Sequence, residues 1–228
     1  MMKKIAAVLF TVLAVCSCEM KDVFTLSNQR AFVSVKDGHL TDDYGFPLNI
    51  VESNVKEEDW NTEGSRWFIT YDVLNRQFDL RLNTVEACTV VLPESGTVET
   101  TGDPVIPGEN AISGGYFNIR LEHYAKKGST YPRQMHLYCE VDDTRGTISF
   151  RLYNDGGGEN PAAVSEKDLE KVCVSYSFPL KDLVTPGKRY SATFTWDRLY
   201  YSAEGSIEIV ETTTALSGTI LFPAQASL

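Results

Sequence analysis

Histidine and basic residues are scarce in this sequence. Three histidines, His39, His123 and His136, are spread over 228 residues, and none stands at metal-ligand spacing from the cysteines. Lys and Arg total 21 against 31 Asp and Glu, a formal charge of −10. A nucleic-acid protein carries the opposite balance, so no nucleic-acid partner is expected. Gly-x-Ser-x-Gly, His-Glu-x-x-His, a phosphate-cradling glycine loop and an EF-hand loop are all missing. On that basis no residue is named as catalytic, no metal or other cofactor is expected, and the reading is non-enzymatic. Cysteine is sparse too. Beyond residue 18 only Cys88, Cys139 and Cys173 remain, with no Cys-x-x-Cys pair. An odd number leaves at least one thiol free or bonded between molecules. Buried small hydrophobes are one reading of the three, and a Cys139–Cys173 bridge is another.

Long apolar runs are also lacking. The longest, Ile5 to Val15, is interrupted by Thr11 and follows Lys3 and Lys4. It is short of the ~20 residues that cross a bilayer and fits the apolar region of an export signal. The segment ends Val15-Cys16-Ser17-Cys18. A small residue before a cysteine after such a run resembles the lipobox of bacterial lipoproteins. The resemblance implies cleavage after residue 17 and a lipid anchor on Cys18, since Ser17 fits the preceding position better than Val15 fits it for Cys16. Residues 18–29 then serve as a tether. Loss of residues 1–17 removes Lys3 and Lys4 and no acid, which takes the formal charge from −10 to −12. Glu19 and Asp22 follow the lipid site, a partial match to the acidic signals that send some lipoproteins to the cell surface. The expected location is the outer membrane, lipid-anchored, with either face open.

The rest reads as short strands and turns. Arg30–Lys36, Arg66–Leu74, Phe78–Leu82 and Ala87–Leu92 are predicted strands. Residues 93–110 hold Pro93, Gly96, Gly102, Pro104, Pro107 and Gly108 without apolar periodicity, which marks a domain boundary. Beyond it, Phe117, Ile119 and Leu121 alternate with polar neighbours. So do Met135, Leu137, Cys139 and Val141, and then Ile148, Phe150 and Leu152 after the turn Asp142–Gly146. These last two runs predict a hairpin with Gly146 at positive φ. Further strands are predicted at Val172–Phe178, Arg189–Trp196, Ser206–Val210 and Gly218–Phe222, and residues 163–171 suit a helical turn or two with Ser165 as its cap. The class is all-β, a sandwich or barrel.

Specific strings sharpen this. Gly102-Asp-Pro-Val105, Ala111-Ile-Ser-Gly-Gly-Tyr-Phe-Asn-Ile-Arg-Leu121, Gly146-Thr-Ile-Ser-Phe-Arg-Leu152 and Tyr176-Ser-Phe-Pro-Leu-Lys-Asp-Leu183 resemble the NigD-like lipoproteins. Phe68–Leu74 and Asp79-Leu-Arg-Leu-Asn83 resemble that family's N-terminal strands. The resemblance implies an N-terminal OB-like barrel, placed at residues 30–100, and a C-terminal antiparallel β-sandwich at 101–228. It also implies a role linked to bacteriocin immunity. It supplies no catalytic residue, and the only site it carries over is Cys18.

Carboxylates at Asp42-Asp43, Glu57-Glu58-Asp59, Asp142-Asp143 and Asp155 to Glu159 are read as solvated loops and turns. Trp60, Tyr116, Tyr138, Tyr200 and Tyr201 are read as aromatics in loops or on polar faces, either packing residues or platforms for sugar rings. The expected activity is a protein-interaction module whose partner is an envelope protein or a cationic peptide, since a negative surface steers cations. The alternative is a glycan-binding accessory lipoprotein.

Overall fold

The computed structural model describes residues 25–129, 133–157, 161–201, 203–204 and 206–221. Thirteen strands follow one another: β1 (Leu26–Lys36), β2 (His39–Asp42), β3 (Ile50–Ser53), β4 (Arg66–Val73), β5 (Leu80–Val90), β6 (Glu94–Ser95), β7 (Val105–Ser113), β8 (Tyr116–Lys126), β9 (Gln134–Asp142), β10 (Thr147–Asp155), β11 (Leu169–Pro179), β12 (Arg189–Tyr201) and β13 (Ile207–Leu221). Three 3₁₀ turns, at Glu57–Asp59, Pro161–Ala163 and Glu166–Asp168, are the only helical elements among the described residues. The molecule is all-β.

The N-terminal strands curl into a ring. β1 pairs antiparallel with β2 and β4, β4 with β5, and β5 runs parallel to β3. A bridge between Thr41 and Pro47, with Leu48 N–H donating to the Leu40 carbonyl at 2.8 Å, links the end of β2 to the approach of β3. That is the five-stranded, partly open barrel of the OB type. Its core is Val33, Val35, Leu40, Trp60, Ile69 and Leu82. Strand periodicity accounts for the choice: odd-numbered residues of β4 turn into the ring, while Arg66 and Phe68 turn to the other face of the sheet.

The remaining strands form a sandwich. β7, β8 and β11 face a five-stranded sheet of order β13-β12-β10-β9-β6. Phe117, Leu137, Phe150, Phe178, Tyr190 and Phe194 fill the space between, all at 1% exposure or less. Phe117 stacks on Phe150 with ring centroids 4.8 Å apart. The predicted β9–β10 hairpin is present, with Val141 opposite Ile148, Leu137 opposite Leu152 and Gly146 at φ 63°. Gly114 and Gly115, at φ 56° and 79°, make the two-residue turn between β7 and β8, a conformation that excludes most side chains. The two cores draw on separate stretches of chain, but one sheet serves both. The last residues of β5, Cys88–Val90, pair in parallel with Ser175–Ser177 of β11, so the sheet runs on in the order β2-β1-β4-β5-β11-β8-β7.

Several boundaries differ from the sequence reading. The strands expected at Phe78–Leu82 and Ala87–Leu92 are one shorter strand, β5 (Leu80–Val90), because Thr84 and Val85 carry the ladder across the gap. Likewise the two strands expected at 206–210 and 218–222 are one, β13. Thr212, Thr213 and Thr214 are β-branched and extend it on an exposed face, where apolar alternation gives no signal. β1 starts at Leu26, inside the segment read as tether.

Candidate functional site

The ring does not close along its whole length. β2 is four residues long and reaches back only to His39, where the chain turns through Asp37 and Gly38 into β1. β3 continues past that point with β5 as its one strand partner among the described residues. The gap is a recess of about 430 Å³. Leu40, Leu48, Ile50, Val55 and Trp60 line its apolar part, and His39, Glu52 and Glu57 its polar part. No Lys or Arg lines it. Glu52 accepts from Arg81 at 2.6 Å and Glu57 from Asn61 Nδ2 at 2.8 Å. Val51 is exposed at the lip. Trp60 is buried, which is the packing alternative and not the sugar platform, and its Nε1–H has no acceptor among the described residues. An unsatisfied buried donor costs about 1–3 kcal/mol.

On the opposite face of the same sheet lies a buried polar network. Arg66 donates to Ser34 Oγ (2.8 Å), Asp43 Oδ1 (2.9 Å) and Oδ2 (3.3 Å), Asn118 Oδ1 (2.9 Å) and Ser177 Oγ (3.1 Å). Its guanidinium also lies 4.0 Å from the centre of the Tyr116 ring. Asp43 accepts in addition from Ser113 and from Asn118 Nδ2. The Arg66 and Asp43 side chains are 2% and 6% exposed, so Asp43 is not the solvated loop carboxylate the sequence suggested. Asp42 beside it does behave as a turn residue, accepting the Tyr44 and Phe46 amides. The network joins β1, β4, β7, β8 and β11 to the turn after β2 that carries Asp43, and its donors and acceptors are mutually satisfied. It holds the ring against the sandwich and leaves no free group for chemistry.

The other candidates are dispersed. His123 is buried on β8. Burial and the nearby Arg133 hold its pKa down at about 4, and its Nδ1 has no hydrogen-bond partner among the described residues. His136 Nδ1 lies 2.6 Å from Glu94 Oε1 and its ring stacks beside Tyr138. His39 is exposed at the recess. The three cysteines are free. Cys139 points into the sandwich core, whereas Cys173 lies on the other face of β11 opposite Glu122, so alternation along the strands keeps the Cys139–Cys173 bridge from forming. Burial pushes the Cys88 and Cys139 thiols up to about 12, far from a thiolate at neutral pH. Asp142 and Asp143 do turn work: Asp142 accepts the Thr144 and Arg145 amides, and Asp143 accepts from Tyr190 and Thr185. Among the described residues no three His, Cys, Asp or Glu converge as for a metal, and Glu159 lies outside them. So do Cys16 and Cys18.

Tyr200 and Tyr201 are about half exposed. Tyr201 shares a cleft of about 400 Å³ with Tyr124, Leu169, Glu170 and Lys171. Tyr44 and Phe46, 82% and 68% exposed at the tip of the β2–β3 loop, were not singled out in the sequence. Their signal was the Asp42-Asp-Tyr-Gly45 turn, which places whatever it carries outside the fold.

No protein-family model and no curated protein matches the sequence. Solved structures do. A NigD-like immunity protein from Bacteroides caccae superposes with a TM-score of 0.54 at 19% identity, over 81% of this chain and 92% of that one. A protein of unknown function, DUF1344, from Bacteroides vulgatus gives 0.52 at 17% identity, over 86% and 93%. At such identity the likeness is one of fold, and the fold is the one that the sequence resemblance to NigD-like lipoproteins implied. Among the described residues no helix is long and apolar enough to cross a membrane.

Proposed function

We propose that this chain is a non-enzymatic lipoprotein of the bacterial envelope, anchored in the outer membrane by a lipid on Cys18, that works as a protein-interaction module. Its partner is a cationic peptide or an envelope protein with a basic surface. The observation that carries this reading is the recess in the ring, which combines apolar residues with Glu52 and Glu57 and is lined by no Lys or Arg. It sits in a chain whose formal charge is −10, or −12 without residues 1–17, and such a field speeds the approach of a cation. The structurally similar protein from B. caccae is called an immunity protein, and immunity to a cationic bacteriocin is the specific form this reading takes. Support also comes from the titratable groups, which are spent on structure: His136 on Glu94, Asp43 on Arg66, the Cys88 and Cys139 thiols on burial.

Capture from membranes with the lipidated protein tests it, set against Cys18→Ser. The wild type should fractionate with membranes and retain a specific basic partner, and Cys18→Ser should be released to the soluble fraction. Background capture by a folded, anchored protein would contradict the module. Membrane retention of Cys18→Ser would contradict the anchor.

A second reading, glycan binding, is favoured by one observation, the cleft between Tyr124 and Tyr201 with Lys171 5.7 Å from the Tyr124 ring centre. Sugar retention on affinity gels that is lost in Tyr201→Ala would support it, and unchanged migration of both proteins would dismiss it.

A further inference from the structure

Resting on the module reading, we propose that the recess binds its partner by strand addition: an extended segment alternating apolar and basic residues pairs with the outer edge of β3. Three observations converge on that edge. β3 has β5 on one side and, among the described residues, no strand on the other, because β2 begins only at His39 and does not extend alongside it. A strand edge without a neighbour presents unpaired N–H and C=O groups that template another chain. The edge is also flanked by a recess large enough for several side chains, about 430 Å³, with Leu48, Ile50 and Trp60 on its apolar side. And the lining is acidic. Glu52 and Glu57 line the recess and no Lys or Arg does. Glu52 is already paired with Arg81 at 2.6 Å, whereas Glu57 accepts from the neutral Asn61 amide and has no cation among the described residues. An incoming lysine or arginine therefore meets Glu57 without a competitor and shares Glu52 with Arg81.

The geometry fixes the class of ligand. β3 spans four residues, about 13 Å of extended chain, so the paired segment is four to six residues long. Alternation along a strand sends every second side chain to the same face. Apolar residues on one face then meet the recess, and basic residues on the other stay near the acidic rim. A second copy of this chain is a poor occupant, since its own formal charge of −10 repels the rim.

The test uses the folded protein and a capped Lys-Val-Lys-Val-Lys-Val peptide, read by titration calorimetry and by the fluorescence change that Trp60→Phe removes. Two isomers of the peptide, N-methylated on every Val or on every Lys, each block one edge. The parent peptide should bind with saturation, and at least one isomer should bind tenfold or more weakly. Glu52→Lys/Glu57→Lys should also bind tenfold or more weakly at low salt while melting as a folded protein. Saturable binding unchanged by either N-methylation, or unchanged in the charge-reversed variant, would overturn strand addition at this edge, as would no binding at millimolar peptide. The module reading fails separately. A basic partner captured equally by wild type and the charge-reversed variant would sink the β3 site and leave the module standing. Peptide binding with no partner captured from membranes would do the reverse.

Discussion

The ring and the sandwich are built from the same kind of strand yet finish differently. The sandwich covers both inner faces with large side chains, and Phe117, Phe150, Phe178, Tyr190 and Phe194 are sealed at 1% exposure or less. The ring has a smaller core, and its closing seam runs out after Thr41–Pro47 and Leu40–Leu48 because β2 is too short. Phe46, Val51 and Phe78 stay at its surface. The contrast teaches a division of labour. The sandwich is a scaffold sealed at its centre, with open edges among the described residues at β6, β7 and β13, and the ring is the part whose open edge, β3, borders a recess reaching its own core residues Leu40 and Trp60.

The largest effects should come from the scaffold and from its junction with the ring. Phe150→Ala removes one member of the Phe117–Phe150 stack and leaves a cavity, with an expected loss of about 3–5 kcal/mol in chemical denaturation. Arg66→Ala strands Asp43 in the junction without its cation, and the expected loss is again about 3–5 kcal/mol. Arg66→Ala with Asp43→Ala together should cost less than Arg66→Ala alone, because the uncompensated charge is gone. If the double variant is the worse of the two, the network is held by something other than that charge pair. This experiment sharpens the comparison: Phe150→Ala acts within one core, whereas the Arg66 change should also loosen the ring from the sandwich and lower the cooperativity of unfolding.

A smaller effect is expected from pH. The pKa of His123 is depressed to about 4 when folded, against 6.5 unfolded. The unfolded chain therefore takes up a proton as pH falls through 6.5, while the folded one does not, and stability drops until about pH 4. By pH 5 the expected loss is about 1–2 kcal/mol. His123→Phe should flatten the denaturation midpoint between pH 7 and pH 5, and an unchanged slope would place the sensitivity elsewhere.

The sandwich was more legible in the sequence than the ring, for a physical reason. Where one face is buried and the other wet, alternation is forced, as in Met135–Val141 and Ile148–Leu152, and register follows from the turn. The ring depends on contacts that alternation does not record. Asp43 is buried because Arg66, 23 residues on, reaches it, and nothing local to Asp42-Asp43 says so. Trp60 is buried because the 3₁₀ turn at Glu57–Asp59 folds it onto the ring core, although its neighbours in sequence are acidic. The parallel pairing of Cys88–Val90 with Ser175–Ser177 joins residues 87 apart, and a stretch rich in Pro and Gly lies between them. The open seam is a consequence of strand length, since β2 stops at four residues, and lengths are what patterning fixes least well. The lipid site proposed at Cys18 rests on the sequence alone and lies outside the described residues.

The account's central claim is that the ring binds through the free edge of β3 while the sandwich supports it. Amide hydrogen exchange, with and without the Lys–Val peptide, tests that most directly. Added protection should be confined to residues 38–41 and 48–55, with the amides of β8, β9, β10 and β11 unchanged. Protection that falls on the sandwich strands or on the Tyr124–Tyr201 cleft, with residues 50–53 exchanging as fast as before, would contradict it.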